Sequence, residues 1–196
     1  MRFTEIEHKF VLDGAFDLAA FRRALEAAGP TRQTALQVRD RYFLTGNGRA
    51  RHYILRHRFD TELHHLTIKS LASDPEVRGE INLDLGHHAG DQAATVDAFT
   101  ARLGVVWAGE VRKHLEVWYF PDCEVVHYTA STGARAVRCV EFEAIGQTSV
   151  AEALAVIDRY ERATGFDPAD RSRQSLVDLL FPGVLPGAPD GAVQTR

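Results

Sequence analysis

The chain has 196 residues, of which 45% are hydrophobic and 26% charged, and its formal net charge at pH 7 is −4. This composition is typical of one globular domain, with two small domains as the alternative, and the negative charge disfavours a general nucleic-acid-binding surface. No apolar run approaches the length of a membrane span, and the first residues lack a secretory apolar region. Cys123 and Cys139 form no CxxC pair, which favours a reduced cytoplasmic protein over a disulfide across neighbouring strands.

Short segments that are rich in alternating apolar residues, bounded by Gly, Asp and Asn, indicate strands. The predicted strands are Phe3–Leu12, Leu36–Leu44, Ala50–Phe59, His64–Ser70, Val77–Leu85, Val111–Phe120, Glu124–Ala130 and Ala136–Ile145. A turn is predicted at Thr45-Gly46-Asn47-Gly48, between the second and third of them. So many strands with few helices favour an α+β fold, in which an eight-stranded antiparallel sheet closes into a β-barrel with helices packed outside.

Four helices are predicted from apolar periodicity and from their end signals. They are Phe16–Ala28, Asp91–Leu103, Ser149–Thr164 and a last helix that begins at Asp167-Pro168 and runs through Leu180. Ser149 and Glu152 have the spacing of a capping box. Residues 1–181 are therefore predicted to form the domain, and residues 182–196, rich in Pro and Gly, to form a disordered tail.

The strands carry charge on one face, which is unusual. In the first strand, alternation places Glu5, Glu7 and Lys9 on the same side, and Glu141 with Glu143 repeats the paired acids near the other end of the chain. Two interpretations are open at this point. The charged face is either the solvated outside of a half-buried sheet, with Glu5 and Glu7 guarding an edge, or the lining of a wet interior whose apolar face lies under the helices.

Cationic residues occur on several of the same strands. Of the 23 cationic residues only three are lysines, Lys9, Lys69 and Lys113, and arginines supply the rest. Arginine binds phosphate through two parallel hydrogen bonds and lysine binds it as a point charge. Paired carboxylates hold hard cations such as Mg²⁺ or Mn²⁺ through oxygen. Acidic and basic groups together are therefore typical of a site for a polyphosphate and its metal ion.

The order of these motifs resembles the CYTH family, the triphosphate tunnel metalloenzymes. The matching segments are Glu5-x-Glu7-x-Lys9, Asp40-x-Tyr42-Phe43, Leu55-Arg56-x-Arg58, Leu66-Thr67-x-Lys69, Arg78-x-Glu80, Val111-x-Lys113 and Glu141-x-Glu143. The resemblance covers residues 3 to about 181 and includes all three lysines. It implies an eight-stranded antiparallel tunnel that binds a triphosphate and its metal.

The resemblance also implies roles for individual residues. The implied metal ligands are Glu5, Glu7, Glu80, Glu141 and Glu143, with Mg²⁺ or Mn²⁺ as the ion. Glu80 could instead serve the neighbouring arginines. The implied triphosphate-binding residues are Lys9, Arg56, Arg58, Lys69, Arg78 and Lys113. The residues expected to act in catalysis are Glu5, Glu7, Lys9 and Lys69, the glutamates by positioning water and the lysines by stabilising developing charge.

The predicted activity is metal-dependent hydrolysis of a triphosphate. Inorganic tripolyphosphate is the preferred substrate, because no base-recognition element is visible in the sequence. A class IV-type adenylate cyclase and a thiamine triphosphatase are the alternatives within the enzyme class. A non-catalytic module for polyphosphate or nucleotides is another alternative, since Asn82 and Leu115 stand where the family often has an acid and an arginine. An aspartate that is usual before the last acid pair is also missing, and His127 lies near that place. The only partner expected is a small triphosphate substrate, with no nucleic acid or membrane and with a homodimer as an option.

Overall fold

A computed structural model of the chain describes residues 3–71 and 77–185, except for the side chains of residues 3 and 4. The strands are β1 Phe3–Val11, β2 Arg32–Thr45, β3 Tyr53–Phe59, β4 His64–Ser70, β5 Val77–Asp84, β6 Val105–Tyr119, β7 Cys123–Ser131 and β8 Ala136–Ala144. The helices are α1 Leu18–Ala27, α2 Gly46–Arg51, α3 Ala93–Arg102, α4 Val150–Thr164 and α5 Leu176–Leu180. All strand pairings are antiparallel, and the sheet closes in the order β1-β5-β4-β3-β2-β6-β7-β8. The predicted α+β fold with an eight-stranded antiparallel β-barrel is therefore confirmed.

Two predicted elements differ from the structure. The turn at Thr45–Gly48 is the start of the short helix α2, so β3 begins at Tyr53 rather than at Ala50. The predicted last helix is broken into a short 3-10 turn, Pro168–Asp170, and α5. The break has a local cause, because the Ser175 hydroxyl accepts a hydrogen bond from the Asp178 amide and the Asp178 carboxylate accepts from the Ser175 amide, which starts a new helix.

Two further predictions concern chain ends and caps. Ser149 does cap α4 by accepting from the Glu152 amide at 3.2 Å, whereas the Glu152 carboxylate accepts hydrogen bonds from Thr148. Of the predicted tail, residues 182–185 are described and Leu185 packs on apolar residues beside α5. Residues 186–196 lie outside the described part of the chain. In residues 3–71 and 77–185, no helix has the length and apolar character that crossing a bilayer would require.

The alternating side chains of the strands separate two environments. On the outer face of β1, Ile6 and Phe10 join an apolar cluster with Phe21 of α1, Phe142 of β8 and Ile157 of α4. These side chains are all under 10% exposed, so α1 and α4 cover this side of the barrel. The charged face of β1 consequently points into the barrel. The second interpretation of the sequence, in which the charged face lines a wet interior, is therefore the correct one.

Buried polar contacts attach the end of the chain to β1. Glu161 of α4 is fully buried, and its Oε1 lies 2.7 Å from Nδ1 of His8 on the outer face of β1. The guanidinium of Arg171 donates to the same carboxylate, and the amide of Ser172 donates to the carbonyl of Lys9 at 2.7 Å. These contacts direct the chain across one end of the barrel, where α5 packs on inward-facing apolar residues.

Candidate functional site

The barrel encloses a cavity of about 1440 Å³. All but one of the residues that the sequence predicted for the site line this cavity. The residues that line it are Glu5, Glu7, Lys9, Arg56, Arg58, Lys69, Arg78, Lys113, Glu141 and Glu143. The exception is Glu80, which is 7% exposed and lies against Lys69 and Arg56 without lining the cavity itself. The structure thus brings the predicted acids and cations into a single interior space.

Each cation near β1 contacts an acid. Nζ of Lys9 lies 3.1 Å from Oε1 of Glu141, and Nη1 of Arg78 lies 2.9 Å from Oε1 of Glu7. The strand register explains the first contact, because Lys9 is directly opposite Glu141 on β8. Burial alone would lower the pKa of Lys9, but the negative charges of Glu141 and Glu7 raise it, so its ammonium stays charged.

Lys69 is shared between two carboxylates. Its Nζ lies 2.9 Å from Oε2 of Glu5 and 2.9 Å from Oε2 of Glu80, and Glu80 also contacts Arg56 at 3.1 Å. Burial would raise the pKa of Glu80, but Lys69 and Arg56 lower it to about 2. Burial raises the pKa of Glu5, and the charges of Glu7 and Glu80 add to this despite Lys69. Glu80 therefore carries the negative charge that holds the two cations.

The pKa of Glu141 is shifted in the opposite direction from that of Glu5. Burial would raise its pKa, but Lys9, Lys113 and a hydrogen bond donated by the Tyr128 hydroxyl at 2.7 Å lower it to about 2. Glu141 is therefore ionised and already neutralised by cations. It is one of the predicted metal ligands, and in this arrangement its charge is directed at Lys9.

Glu143 is the acid with the least compensation. Within the described residues it makes no hydrogen bond and no ion pair, although it lines the cavity. Burial raises its pKa well above the usual range, and the neighbouring charges of Glu5, Glu7 and Glu124 raise it further. Negative charge is therefore concentrated around Glu143, where the charge of Lys69 offsets it only in part, although Glu5 and Glu7 each contact a cation.

Glu124 is a member of this acidic group that sequence reasoning missed. It lines the cavity and lies directly opposite Glu143 in the register of β7 and β8. Its position at the start of a predicted strand, two residues before Val126 and four before Tyr128, was the available signal. His127 has the opposite parity and lies on the outer face of the barrel. Burial there lowers its pKa, and the charges of Glu116 and Arg22 have smaller, opposing effects on it. Glu124, and not His127, thus supplies the polar group of β7.

Asp40 is a second residue that the sequence prediction left without a role. It is fully buried, accepts two hydrogen bonds from Arg58 at 2.8 and 2.9 Å, and lies 2.8 Å from Nζ of Lys113. Burial would raise the pKa of Asp40, but the charges of Arg58 and Lys113 hold it well below the usual range. Asp40 fixes two of the predicted phosphate-binding cations on neighbouring strands.

The acidic group fits a hard divalent cation. Glu5, Glu7, Glu124 and Glu143 offer carboxylate oxygens only, which is the donor chemistry that Mg²⁺ and Mn²⁺ prefer. Glu143 lacks a cationic partner among the described residues, so an added cation would compensate a charge that the protein does not. Among those residues, a group of three possible ligand atoms within 4.8 Å occurs outside the barrel, at His8, Asp158 and Glu161, where Arg171 already occupies the carboxylates.

Part of the cavity wall is apolar, a feature not visible from the motifs. Five branched aliphatic side chains of adjacent strands line the cavity: Leu36, Val38, Leu115, Val117 and Val126. We call them the aliphatic wall. Strands β2, β6 and β7 carry it, whereas β1, β3, β4, β5 and β8 carry most of the charged groups. We call the side of the cavity on β1, β3, β4, β5 and β8 the charged half and the side that carries the wall the aliphatic half, although the latter also includes Lys113 of β6 and Glu124 of β7.

The two ends of the cavity also differ. At one end lie Leu176 and Val177 of α5, preceded by Arg173, whose side chain lines the cavity and was not predicted for the site. The opposite end is lined by Asp60, Glu62 and Tyr119. A ligand with both charged and apolar parts would find distinct surfaces along this interior.

Comparison with known proteins identifies the fold. No family model matches the sequence, and no curated protein matches it. Among solved structures, the PH1012 protein from Pyrococcus horikoshii is 20% identical, with a TM-score of 0.73 over 90% of this chain and 99% of that one. A candidate adenylate cyclase from Bacillus halodurans is 15% identical, with a TM-score of 0.63 over 92% and 98%.

A third similar structure has the same fold at a lower TM-score. The candidate adenylyl cyclase HpAC1 from Hippeastrum, described as revealing a dominant triphosphatase activity, is 15% identical, with a TM-score of 0.51 over 85% of this chain and 89% of that one. Identities this low establish the fold alone. The closed eight-stranded antiparallel barrel is the fold that the resemblance to the CYTH family implied.

Proposed function

We propose that the protein is a metal-dependent phosphohydrolase that cleaves a triphosphate inside its barrel. The observation that carries the proposal is the lining of one cavity by six cations and by a group of acids, of which Glu143 forms no ion pair among the described residues. The cations are Lys9, Arg56, Arg58, Lys69, Arg78 and Lys113. The triphosphatase activity described for the Hippeastrum protein, which has the same fold, supports the same reaction class. Inorganic tripolyphosphate consists solely of the groups that the charged half would bind, and we propose it as the minimal substrate.

The chemistry needs charge neutralisation and positioning more than covalent participation by the protein. Lys9, Lys113 and Arg58 would bind phosphate oxygens and stabilise the charge that develops on the transferred and leaving groups. Asp40 and Glu141 hold these cations in place before substrate arrives. Such preorganisation avoids the reorientation that free side chains would need during the reaction.

Glu5, Glu7 and Glu143 are the residues that would hold the metal, and Glu124, directly opposite Glu143 on β7, is a further candidate. A bound Mg²⁺ or Mn²⁺ would supply neutralisation of phosphate charge and polarisation of a phosphoryl oxygen. The carboxylates of Glu5 and Glu7 are the acceptors available to orient the attacking water. Of the two roles predicted for Glu80, binding the metal or serving neighbouring arginines, its contacts with Lys69 and Arg56 favour the second, and it would act by positioning these cations.

The test is to incubate the protein with tripolyphosphate, ATP and thiamine triphosphate, each with Mg²⁺, Mn²⁺ or EDTA. Phosphate, pyrophosphate and cyclic AMP are measured separately. We expect phosphate release that requires the metal and that is lost in a Glu5→Gln, Glu141→Gln variant. The matched control is Glu110→Gln, which changes a carboxylate of β6 that pairs with Arg39 outside the cavity. Cyclic AMP would instead indicate the cyclase, and tight binding without turnover would indicate the non-catalytic module.

A further inference from the structure

We infer that the substrate carries an aliphatic organic group next to its phosphates, and that this group lies against the aliphatic wall. The inference rests on the proposed function, because it assumes that the phosphates occupy the charged half of the cavity. It changes the choice of substrate within that function. Inorganic tripolyphosphate was preferred because the sequence revealed no surface for an organic group, and the barrel interior has one.

The aliphatic wall is continuous across three neighbouring strands. Leu36 of β2 is directly opposite Leu115 of β6, and Val117 of β6 is directly opposite Val126 of β7. Lys113 precedes Leu115 by two residues, so that its side chain has the same inward orientation as the wall. The ammonium of Lys113 therefore adjoins the wall, and a phosphate bound to it would place an attached organic group near Leu115.

Part of the wall belongs to the apolar cluster that closes the barrel, since Val117 and Val126 cluster with Leu176 and Val177 of α5, but the wall also faces the cavity. Val38, Val117 and Val126 are buried, but Leu36 and Leu115 are only half-buried, and both line the cavity. Apolar surface that faces an internal, water-accessible cavity is unfavourable until something apolar covers it. The cavity of about 1440 Å³ also exceeds the range of ~300–1,000 Å³ that is usual for small-molecule pockets. It has room for an organic group beside a triphosphate.

The chemistry of the wall favours an aliphatic group over a nucleobase. Bases are commonly bound by stacking on aromatic rings, and all five residues of the wall are Leu or Val. Among the described residues, two tyrosines line the cavity elsewhere. Tyr42 is only 5% exposed and packs in the apolar cluster beside α5, and Arg32 covers the ring of Tyr119 at 4.0 Å. We therefore expect an unbranched or branched alkyl or alkenyl ester of triphosphate to bind more tightly than ATP.

Affinities of methyl, butyl and octyl triphosphate, tripolyphosphate and ATP, measured by calorimetry in EDTA, test the inference without turnover. We expect affinity to rise about two- to fourfold per methylene until the wall is covered, in keeping with the usual gain per buried CH₂. Leu115→Arg should remove this dependence on chain length and bind tripolyphosphate more tightly. The control is Leu83→Arg, on the outer face of β5, which is 58% exposed and should leave the series unchanged.

The outcomes separate the two proposals. Equal affinities for tripolyphosphate and the three alkyl esters would overturn the inference while leaving the triphosphatase proposal intact. ATP binding more tightly than octyl triphosphate would also overturn it, in favour of a nucleotide. If tripolyphosphate is neither bound nor hydrolysed in the presence of metal, the proposed function itself is contradicted. If Leu115→Arg does not fold, as judged by circular dichroism, Leu36→Ser serves instead and should weaken octyl triphosphate binding selectively.

Discussion

Arg58 of β3 and Asp40 of β2 lie side by side on adjacent strands, and Arg58 donates two parallel hydrogen bonds of 2.8 and 2.9 Å to the Asp40 carboxylate. The pair is set by strand register, since the two residues are directly opposite in the β2–β3 ladder. Asp40 is also 2.8 Å from Lys113. One buried carboxylate thus orders two cations that the sequence assigns to phosphate binding, which makes Asp40 a positioning residue.

Replacement of Asp40 by Asn should destabilise the fold and weaken polyphosphate binding. The change leaves Arg58 and Lys113 without their buried counter-ion, and breaking a buried pair typically costs ~3–5 kcal/mol. The free energy of unfolding, measured in urea, checks the first effect. Asp97→Asn is the control, because Asp97 is 53% exposed and its pair with Arg41 should contribute no more than ~1 kcal/mol.

The contribution of Asp40 should depend on pH. Its pKa in the folded protein lies well below its ordinary value near 3.8, so ionised Asp40 favours the folded state. The stability difference between the wild type and Asp40→Asn should be fully present above about pH 4–5 and shrink as the pH falls below 3.8. Unfolding curves between pH 3 and pH 7 measure it. A difference that grows with acidification would contradict the assignment of the ion pair.

Removal of two cations from the charged half should weaken tripolyphosphate binding. Lys9→Ala combined with Arg56→Ala deletes contacts of the charge-assisted type, each of which is typically worth ~1.5–3 kcal/mol. We expect the dissociation constant to rise by a factor of roughly 100 or more, measured by calorimetry. Arg112→Ala is the control, as Arg112 is 77% exposed on the outside of β6. Unchanged affinity in the double variant would show that the phosphates lie elsewhere.

Periodicity in the sequence predicted much of this site, for a definite physical reason. Alternation places Glu5 and Glu7 on one face of β1, and Glu141 and Glu143 on one face of β8, whatever the neighbouring strands are. Relations between strands could not be predicted in this way. The opposition of Glu124 and Glu143 depends on the register of the β7–β8 hairpin, and that of Leu36 and Leu115 depends on two strands that are distant in the chain. The fold was accordingly predicted better than the composition of the cavity.

Replacement of Glu143 by Gln should raise stability and abolish metal-dependent turnover. Buried Glu143 suffers repulsion from Glu5, Glu7 and Glu124, so a neutral amide of the same shape relieves unfavourable charge. We expect a gain of about 0.5–2 kcal/mol without metal, the range usual when a strained functional residue is removed. Thermal unfolding with and without Mg²⁺ checks this. The wild type should be stabilised by Mg²⁺ and the variant much less.

Glu124→Gln provides the comparison for Glu143. Burial raises the pKa of Glu124 as well, but two cations, Arg58 and Arg32, partly offset its charge. The stability gain should therefore be smaller than that of Glu143→Gln, and part of the metal-dependent stabilisation should remain. Equal responses of the two variants to Mg²⁺ would mean that Glu124 belongs to the metal site as fully as Glu143 does.

Glu161 should matter for activity although it lies outside the barrel. Its buried carboxylate accepts from His8, between the site residues Glu7 and Lys9, and from Arg171, next to the Ser172 amide that is bound to Lys9. Glu161→Ala should cost about 1–3 kcal/mol of unfolding free energy, because it deletes a fully buried carboxylate that accepts from His8 and Arg171, while Arg171 keeps its ion pair with Asp158. At a temperature where the variant is folded, KM for tripolyphosphate should rise, because β1 loses the contacts that hold it. The control is Glu152→Ala, which changes an exposed acid of the same helix and should leave KM unchanged. An unchanged KM in folded Glu161→Ala would confine the role of these contacts to stability.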